Sequence, residues 1–250
     1  MADMRNQVIV DFIAEVARGP FKCLRDYDGD GFRRYVEECN PAFGDIFDCA
    51  VYQAYLDMCR TVSGAGKGKR KKEIEKTRDI VAEALRDYFA GNRKAKKEAF
   101  DGWYGSVLFA AQAPAHLSVG QAQKLLNMAF KYLYCLADFR EEHRSHFACC
   151  HMPLDSYTLA WYKRECDSDY DGEAWSAIDD TAKYCHIVET IRDKLKGKVV
   201  LEEEFFIWAD EKARIERDNT RKAALKVAAY DGCSDELKKQ LVSYAELLAN

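Results

Sequence analysis

Residues that interrupt helices are scarce in this sequence. Of its 250 residues, 14 are glycine and 4 are proline, about 7% together against roughly 12% in average proteins. The alternation of apolar and polar residues that marks β-strands is nowhere sustained, whereas apolar residues recur at helical spacing in many segments. The sequence therefore predicts an all-α protein. Its length allows one large domain or two smaller lobes.

Long apolar runs are also absent. No 18 consecutive residues are apolar, and polar residues interrupt the first 16 residues, where a signal peptide would need its apolar core. Hydrophobic residues nevertheless make up 48% of the chain, which excludes general disorder. We therefore expect a cytoplasmic protein with no membrane partner.

The ten cysteines include no Cys-x-x-Cys pair. That spacing is common in zinc and iron–sulfur sites, whose ligands must converge on one ion or cluster. Its absence makes such a site unexpected. We expect neither a metal nor another cofactor.

The net charge of the chain is small, but its positive charges are concentrated in one region. The net charge is −4, which excludes a protein that is basic throughout. Residues 60–100, however, hold thirteen Lys or Arg against six Asp or Glu. Within this region residues 63–72 lack apolar periodicity and predict a basic loop, which could contact phosphates of a nucleic acid. Its candidate DNA-binding residues are Lys67, Lys69, Arg70, Lys71 and Lys72.

A helix is indicated from about Val119 to Leu136. Ser118 followed by Gln121 is the pattern of a capping box, and one apolar stripe runs along the segment after it. A second face carries Lys124, Asn127 and Lys131 at steps of three and four residues. This face is either solvated or a site with two amines. In the second case, the mutual repulsion of two amines favours the neutral form that acts as a nucleophile.

A rigid carboxylate is indicated further along the chain. Pro153 restricts the residue before it to an extended conformation. Asp155 then stands at the N-cap position of an apolar helix. The carboxylate either only caps this helix or is held in place for acid–base or electrostatic work.

Together, these segments resemble the helix-hairpin-helix DNA glycosylases, and most nearly the archaeal type of 8-oxoguanine DNA glycosylase. In that family a hairpin leads into a helix with a catalytic lysine, and a Pro-Val-Asp element follows, whose aspartate caps the next helix. The matching residues are Lys124 and, 31 positions later, Pro153-Leu154-Asp155. Lys131 follows Lys124 by seven residues, as in the archaeal type. Where the hairpin usually reads Gly-hydrophobic-Gly, this chain has Ser118-Val119-Gly120.

The resemblance covers about residues 100–210 and implies both a fold and a function. The fold would be a two-lobed helical bundle with a helix-hairpin-helix-like element. One lobe would comprise residues 1–100 with the C-terminal helices, and the other residues 101–210. The function would be that of a monomeric DNA glycosylase, with or without lyase activity, which excises a damaged or modified base from double-stranded DNA. Lys124 would be the nucleophile and Asp155 the catalytic carboxylate, while Gly120 and Lys131 would join the basic loop in binding DNA.

Two other interpretations remain open. Residues 26–37 carry three Asp, a Gly and a final Glu at the ligand spacing of an EF-hand loop, so the chain could be a calcium-binding helical protein. Arg140 and His146 fit the loose Arg-x(4 to 6)-His pattern of HEPN-type ribonucleases.

Overall fold

The computed structural model describes residues 2–16, 45–64, 67–91 and 96–249. No strand occurs among these residues, so the prediction of an all-α protein is confirmed. Within the described ranges, two 3-10 turns, Cys59–Thr61 and Trp175–Ala177, accompany the helices. The α-helices are α1 (Ala2–Val16), α2 (Ile46–Met58), α3 (Gly68–Ala90), α4 (Lys97–Ala115), α5 (Val119–Tyr134), α6 (Ala137–Glu142), α7 (Arg144–Phe147), α8 (Ser156–Glu165), α9 (Thr181–Lys194), α10 (Val200–Ala228) and α11 (Asp235–Leu247).

The chain divides into two compact units, Met1–Phe206 and Ile207–Asn250, with the boundary inside α10. This division differs from the predicted lobes, 1–100 with the C-terminal helices and 101–210. The smaller unit contains α11 and most of α10. None of the helices in the described ranges is long and apolar enough to cross a membrane.

Helix α5 is the central helix of the larger unit. It begins with the predicted capping box, because the Ser118 hydroxyl accepts from the Gln121 N–H at 3.0 Å and the Gln121 side chain accepts from the Ser118 N–H at 3.2 Å. Helices α2, α4, α6 and α9 and the Trp175–Ala177 turn pack around α5. Every residue of α5 except Gln121 is buried. This helix therefore has no solvated face.

The basic residues predicted in a loop instead begin a helix. Helix α3 starts at Gly68, so the prediction of a loop up to residue 72 is wrong. Helical geometry brings Lys69 to 3.6 Å and Arg70 to 3.7 Å from Glu73. This part of the helix lacks apolar periodicity because most of its side chains are exposed, and the buried stripe begins only at Ile74.

Helix α4 contains a proline in its last turn. It begins at Lys97, and Pro114 lies inside it. Proline has no backbone N–H, so the last turn of α4 lacks one intrahelical hydrogen bond. His116 then adopts a left-handed conformation with φ of 44°, and its N–H donates to the Gln112 carbonyl. This turn leads directly into the capping box of α5.

Gly120 allows a close approach between α5 and the turn that covers its start. A Cβ atom on Gly120 would lie 1.6 Å from the Trp175 carbonyl oxygen, whereas a Cβ on Gly102 in the middle of α4 would meet nothing within 4 Å. Two Gly→Ala substitutions in helices should therefore have opposite effects.

We expect Gly120→Ala to lower the free energy of unfolding by about 1–3 kcal/mol or more, because the turn must move. Gly102→Ala should raise it by about 0.5–1 kcal/mol, because alanine loses less backbone entropy in a helix. Urea unfolding followed by circular dichroism measures both changes. Equal stability of the two variants would contradict the packing of this turn on α5.

Candidate active site

The carboxylate of Asp155 is fixed by the start of α8. Asp155 is the N-cap, and its Oδ1 accepts from the N–H groups of Tyr157 at 2.9 Å and Thr158 at 3.0 Å. In return, the Thr158 hydroxyl accepts from the Asp155 N–H at 2.8 Å. The predicted N-cap is therefore confirmed, and it engages only one of the two carboxylate oxygens.

The second oxygen faces the predicted lysine. Lys124 Nζ donates to Asp155 Oδ2 at 2.9 Å, and the two side chains are only 6% and 13% exposed. The structure thus brings together two residues that lie 31 positions apart in the sequence. The contact fits a proton transfer, because 2.9 Å is within hydrogen-bond reach.

The surroundings of Asp155 favour its charged form. Burial raises the pKa of the Asp155 carboxyl, but the Lys124 ammonium, the Thr158 N–H and, more weakly, Lys131 outweigh burial, so the pKa lies below its usual value. A carboxylate that accepts several hydrogen bonds beside an ammonium group remains ionised at neutral pH. Asp155 can therefore stabilise a positive charge that develops next to it.

The Trp175–Ala177 turn covers the site from the N-terminal end of α5. The Trp175 ring centroid lies 6.0 Å from Lys124 Nζ. The Ser118 hydroxyl donates to the Ser176 carbonyl at 2.8 Å. The Gly120 N–H donates to the Ile178 carbonyl, also at 2.8 Å. Because Gly120 is buried and its N–H is engaged within the chain, the expectation that Gly120 contacts DNA does not hold in this structure.

Lys131 lies in the interior, where DNA does not reach it. Its side chain is 1% exposed, and Nζ lies 2.5 Å from Glu204 of α10. The rings of Phe12 and Phe205 flank the ammonium group at 3.7 and 4.5 Å from Nζ to the ring centroids. The predicted phosphate contact of Lys131 is therefore corrected to an internal ion pair between α5 and α10.

Burial acts on both members of this pair. It lowers the pKa of Lys131 and raises the pKa of Glu204, while their mutual attraction opposes both shifts. Sequence reasoning missed Glu204, although a signal exists: Glu204 lies among Leu201, Phe205 and Trp208 at the spacing of an apolar helix face. A charged residue on such a face indicates a buried partner of opposite charge.

The basic start of α3 lies at the same end of the larger unit as the start of α5. The Gln121 side chain donates to the Thr61 carbonyl at 2.8 Å, just before the connection to α3. Thr77 of α3 donates to the Ala111 carbonyl near the end of α4 at 3.1 Å. Helix α3 has neither an acidic residue in its first turn nor a side-chain cap. Of the predicted DNA-binding residues, Lys67, Lys69, Lys71 and Lys72 are exposed and Arg70 is partly exposed.

The structure describes the residues of only one of the two alternative interpretations. The EF-hand-like segment 26–37 lies outside the described residues. Arg140 donates to the Tyr134 carbonyl at 3.1 Å and lies on α6. His146 is buried on α7, with Nε2 2.8 Å from the Gly91 carbonyl oxygen. Both side chains of the HEPN-like pattern thus make contacts within the fold.

Comparisons with known proteins give no relative from which a function could be carried over. No protein-family model, no curated protein and no solved structure matches this chain. Any functional assignment therefore depends on the residues of the site themselves.

The Lys131–Glu204 pair generates a stability prediction. Glu204→Gln or Lys131→Met alone should lower the free energy of unfolding by about 3–5 kcal/mol, because each leaves one charge in the interior without its partner. The double variant Lys131→Met/Glu204→Leu should lose much less than the sum of the single changes. Urea unfolding at pH 7 measures all three.

The exposed pair Lys198–Glu203, at 2.8 Å, supplies the control. Lys198→Met should change stability by at most about 1 kcal/mol, since solvent screens exposed ion pairs. Additive losses at Lys131 and Glu204 would contradict their coupling.

Proposed function

We propose that the protein is a DNA glycosylase that excises a damaged or modified base through Lys124 and Asp155. The observation that carries this proposal is the 2.9 Å contact between Lys124 Nζ and Asp155 Oδ2 at a nearly closed site. Both groups are held by helices, since Lys124 lies in the second turn of α5 and Asp155 caps α8. Such rigid placement is what acid–base or nucleophilic catalysis requires.

The chemistry follows from the two groups. Asp155 accepts a proton from Lys124, and the neutral amine attacks C1′ of the target nucleotide. The bond from C1′ to the base nitrogen breaks, and the departing base takes its electron pair and the proton that Asp155 had accepted. The Asp155 carboxylate, restored in this step, stabilises the positive charge that develops on the sugar. The resulting aminal opens to a Schiff base between Lys124 and the deoxyribose, from which β-elimination cleaves the strand.

Access to Lys124 Nζ requires an extruded nucleotide. A glycosidic bond within duplex DNA cannot reach a group that is 6% exposed, so the base must leave the stack. Extrusion costs a few kcal/mol, and less for a damaged or mismatched base. The Trp175 ring borders the site, so entry of a nucleotide also requires the turn at residues 175–177 to move or the nucleotide to enter beside it. In this proposal, α4, its connection to α5, and α5 form the helix-hairpin-helix-like element.

The basic start of α3 provides the second part of the proposal. It lies at the end of the unit where α5 begins, and Lys69 is 91% exposed on its side chain. Positive charges in the first turn of a helix are electrostatically unfavourable, and a phosphate near them would relieve the repulsion. We assign Lys67, Lys69, Arg70, Lys71 and Lys72 to contacts with the DNA backbone.

Trapping with borohydride tests the nucleophile. On duplexes that each carry one damaged base, reduction should yield a covalent protein–DNA adduct with the parent protein. Lys124→Gln should abolish the adduct, because the amide cannot form a Schiff base, while retaining the helical circular dichroism spectrum. Asp155→Asn should slow base release by at least about 100-fold, since it removes the carboxylate that stabilises the charged sugar.

Lys239→Gln, on an exposed position of α11, is the control and should trap like the parent. Undiminished trapping by Lys124→Gln would remove this residue from the mechanism. Absence of both base release and trapping with every lesion tested would contradict the glycosylase assignment.

Salt-dependent DNA binding tests the basic start of α3. Replacement of Lys69, Arg70, Lys71 and Lys72 by Gln should leave stability within about 0.5 kcal/mol, as is usual for surface changes. Duplex affinity should fall, and the slope of log K against log salt should flatten by about 1 per lost phosphate contact. Fluorescence anisotropy at several salt concentrations measures both.

The matched control replaces Lys222, Lys226, Lys238 and Lys239 of the smaller unit by Gln, which changes the net charge equally. This variant should keep the parent slope. Equal loss of affinity in the two variants would show that only the total charge matters.

A further inference from the structure

Gln123, the residue before Lys124, bonds to the backbone next to Asp155. Its Nε2 donates to the Leu154 carbonyl at 2.9 Å, and its Oε1 accepts from the Leu154 N–H at 3.1 Å. The side chain is fully buried. A single amide therefore satisfies both polar groups of Leu154, as a neighbouring β-strand would do.

A second amide on α5 supports the first. Asn127 Nδ2 lies 3.0 Å from Gln123 Oε1 and 3.2 Å from the Met152 carbonyl oxygen. Asn127 is fully buried as well. Because Gln123 and Asn127 are four residues apart, they occupy successive turns of one helix face. Their contacts join this face to the extended residues that precede Asp155.

Two adjacent residues of α5 thus contact two adjacent residues that precede α8. Gln123 binds the backbone of Leu154, and Lys124 meets the side chain of Asp155. Buried polar side chains destabilise a fold unless their hydrogen bonds are made. An apolar side chain of similar volume would also fill the position of Gln123, so packing alone does not require a glutamine there. We propose that Gln123 is a positioning residue, which sets the Asp155 carboxylate within reach of Lys124 Nζ. This inference rests on the proposed function for its catalytic consequence, while the placement of Asp155 can be measured without it.

The first test compares rates. Gln123→Met keeps the volume and removes both hydrogen bonds to Leu154. The single-turnover rate of base release should fall about 10- to 100-fold, since misplacement by about 1 Å costs up to this factor. Duplex affinity should change less than threefold, because the buried side chain does not face DNA. Gln123→Leu, which also removes both hydrogen bonds but introduces no buried charge, should slow base release by a similar factor, and it replaces Gln123→Met if that variant does not fold.

A double-variant cycle separates positioning from general destabilisation. In an Asp155→Asn background, Gln123→Met should slow base release less than threefold further, because the carboxylate it positions is gone. Thr77→Val is the matched control: Thr77 is also fully buried, and its hydroxyl bonds the Ala111 carbonyl between α3 and α4. It should lower the unfolding midpoint comparably and leave the rate within twofold of the parent. An undiminished effect in the Asp155→Asn background, or an equal rate loss in Thr77→Val, would overturn the inference.

A measurement that does not depend on base release distinguishes failure of this inference from failure of the proposed function. Titration of the Asp155 carboxyl carbon by NMR should show its pKa below the usual value of an aspartate in the parent and shifted upward, towards that value, in Gln123→Met. This result would support the positioning role even if no lesion is excised. An Asp155 pKa unchanged by Gln123→Met would overturn it, whatever the activity of the parent.

Discussion

The ion pair between Lys124 and Asp155 is the interaction around which the larger unit is arranged. Opposite charges removed from water cost several kcal/mol in lost hydration, and only close contact with additional hydrogen bonds repays this cost. Here the contact is 2.9 Å, and the second carboxylate oxygen caps α8 through the N–H groups of Tyr157 and Thr158. A fold that needed only a helix cap at this position would not require a buried lysine.

Helix α5 carries this arrangement because it is surrounded on all sides. An apolar helix would be expected at the centre of a helical unit, yet this one buries Gln123, Lys124, Asn127 and Lys131. Gln123 and Asn127 bond to the backbone at residues 152–154, Lys124 pairs with Asp155, and Lys131 pairs with Glu204. Buried polar groups add little net stability. Their concentration on one face therefore favours a functional explanation of that face.

Local signals in the sequence predicted several parts of this site. The capping box was predicted from the spacing of Ser118 and Gln121, and the N-cap at Asp155 from its place between Pro153 and an apolar helix. Both signals are local, and both predictions are confirmed. Periodicity also predicted that Lys124 and Lys131 share a helix face. It could not show that the face is covered, because Phe12, Glu204 and Phe205 come from segments distant in the sequence.

Two further differences between prediction and structure have separate causes. The start of α3 lacks an apolar stripe and was predicted as a loop, although its ion pairs to Glu73 are those of a helix. The engagement of Gly120 by Ile178 depends on a turn 58 residues away. Gln123 gave no signal of its own, since a glutamine in a helix is ordinarily exposed.

The most direct test of the central claim is to locate the covalent bond. After borohydride reduction of the complex with a lesion-containing duplex, nuclease and trypsin digestion followed by mass spectrometry identifies the modified residue. We expect a reduced deoxyribose remnant on Lys124, in a peptide that continues to Lys131 because trypsin does not cleave after the modified lysine. A remnant on any other lysine or on the N-terminal amine would contradict it.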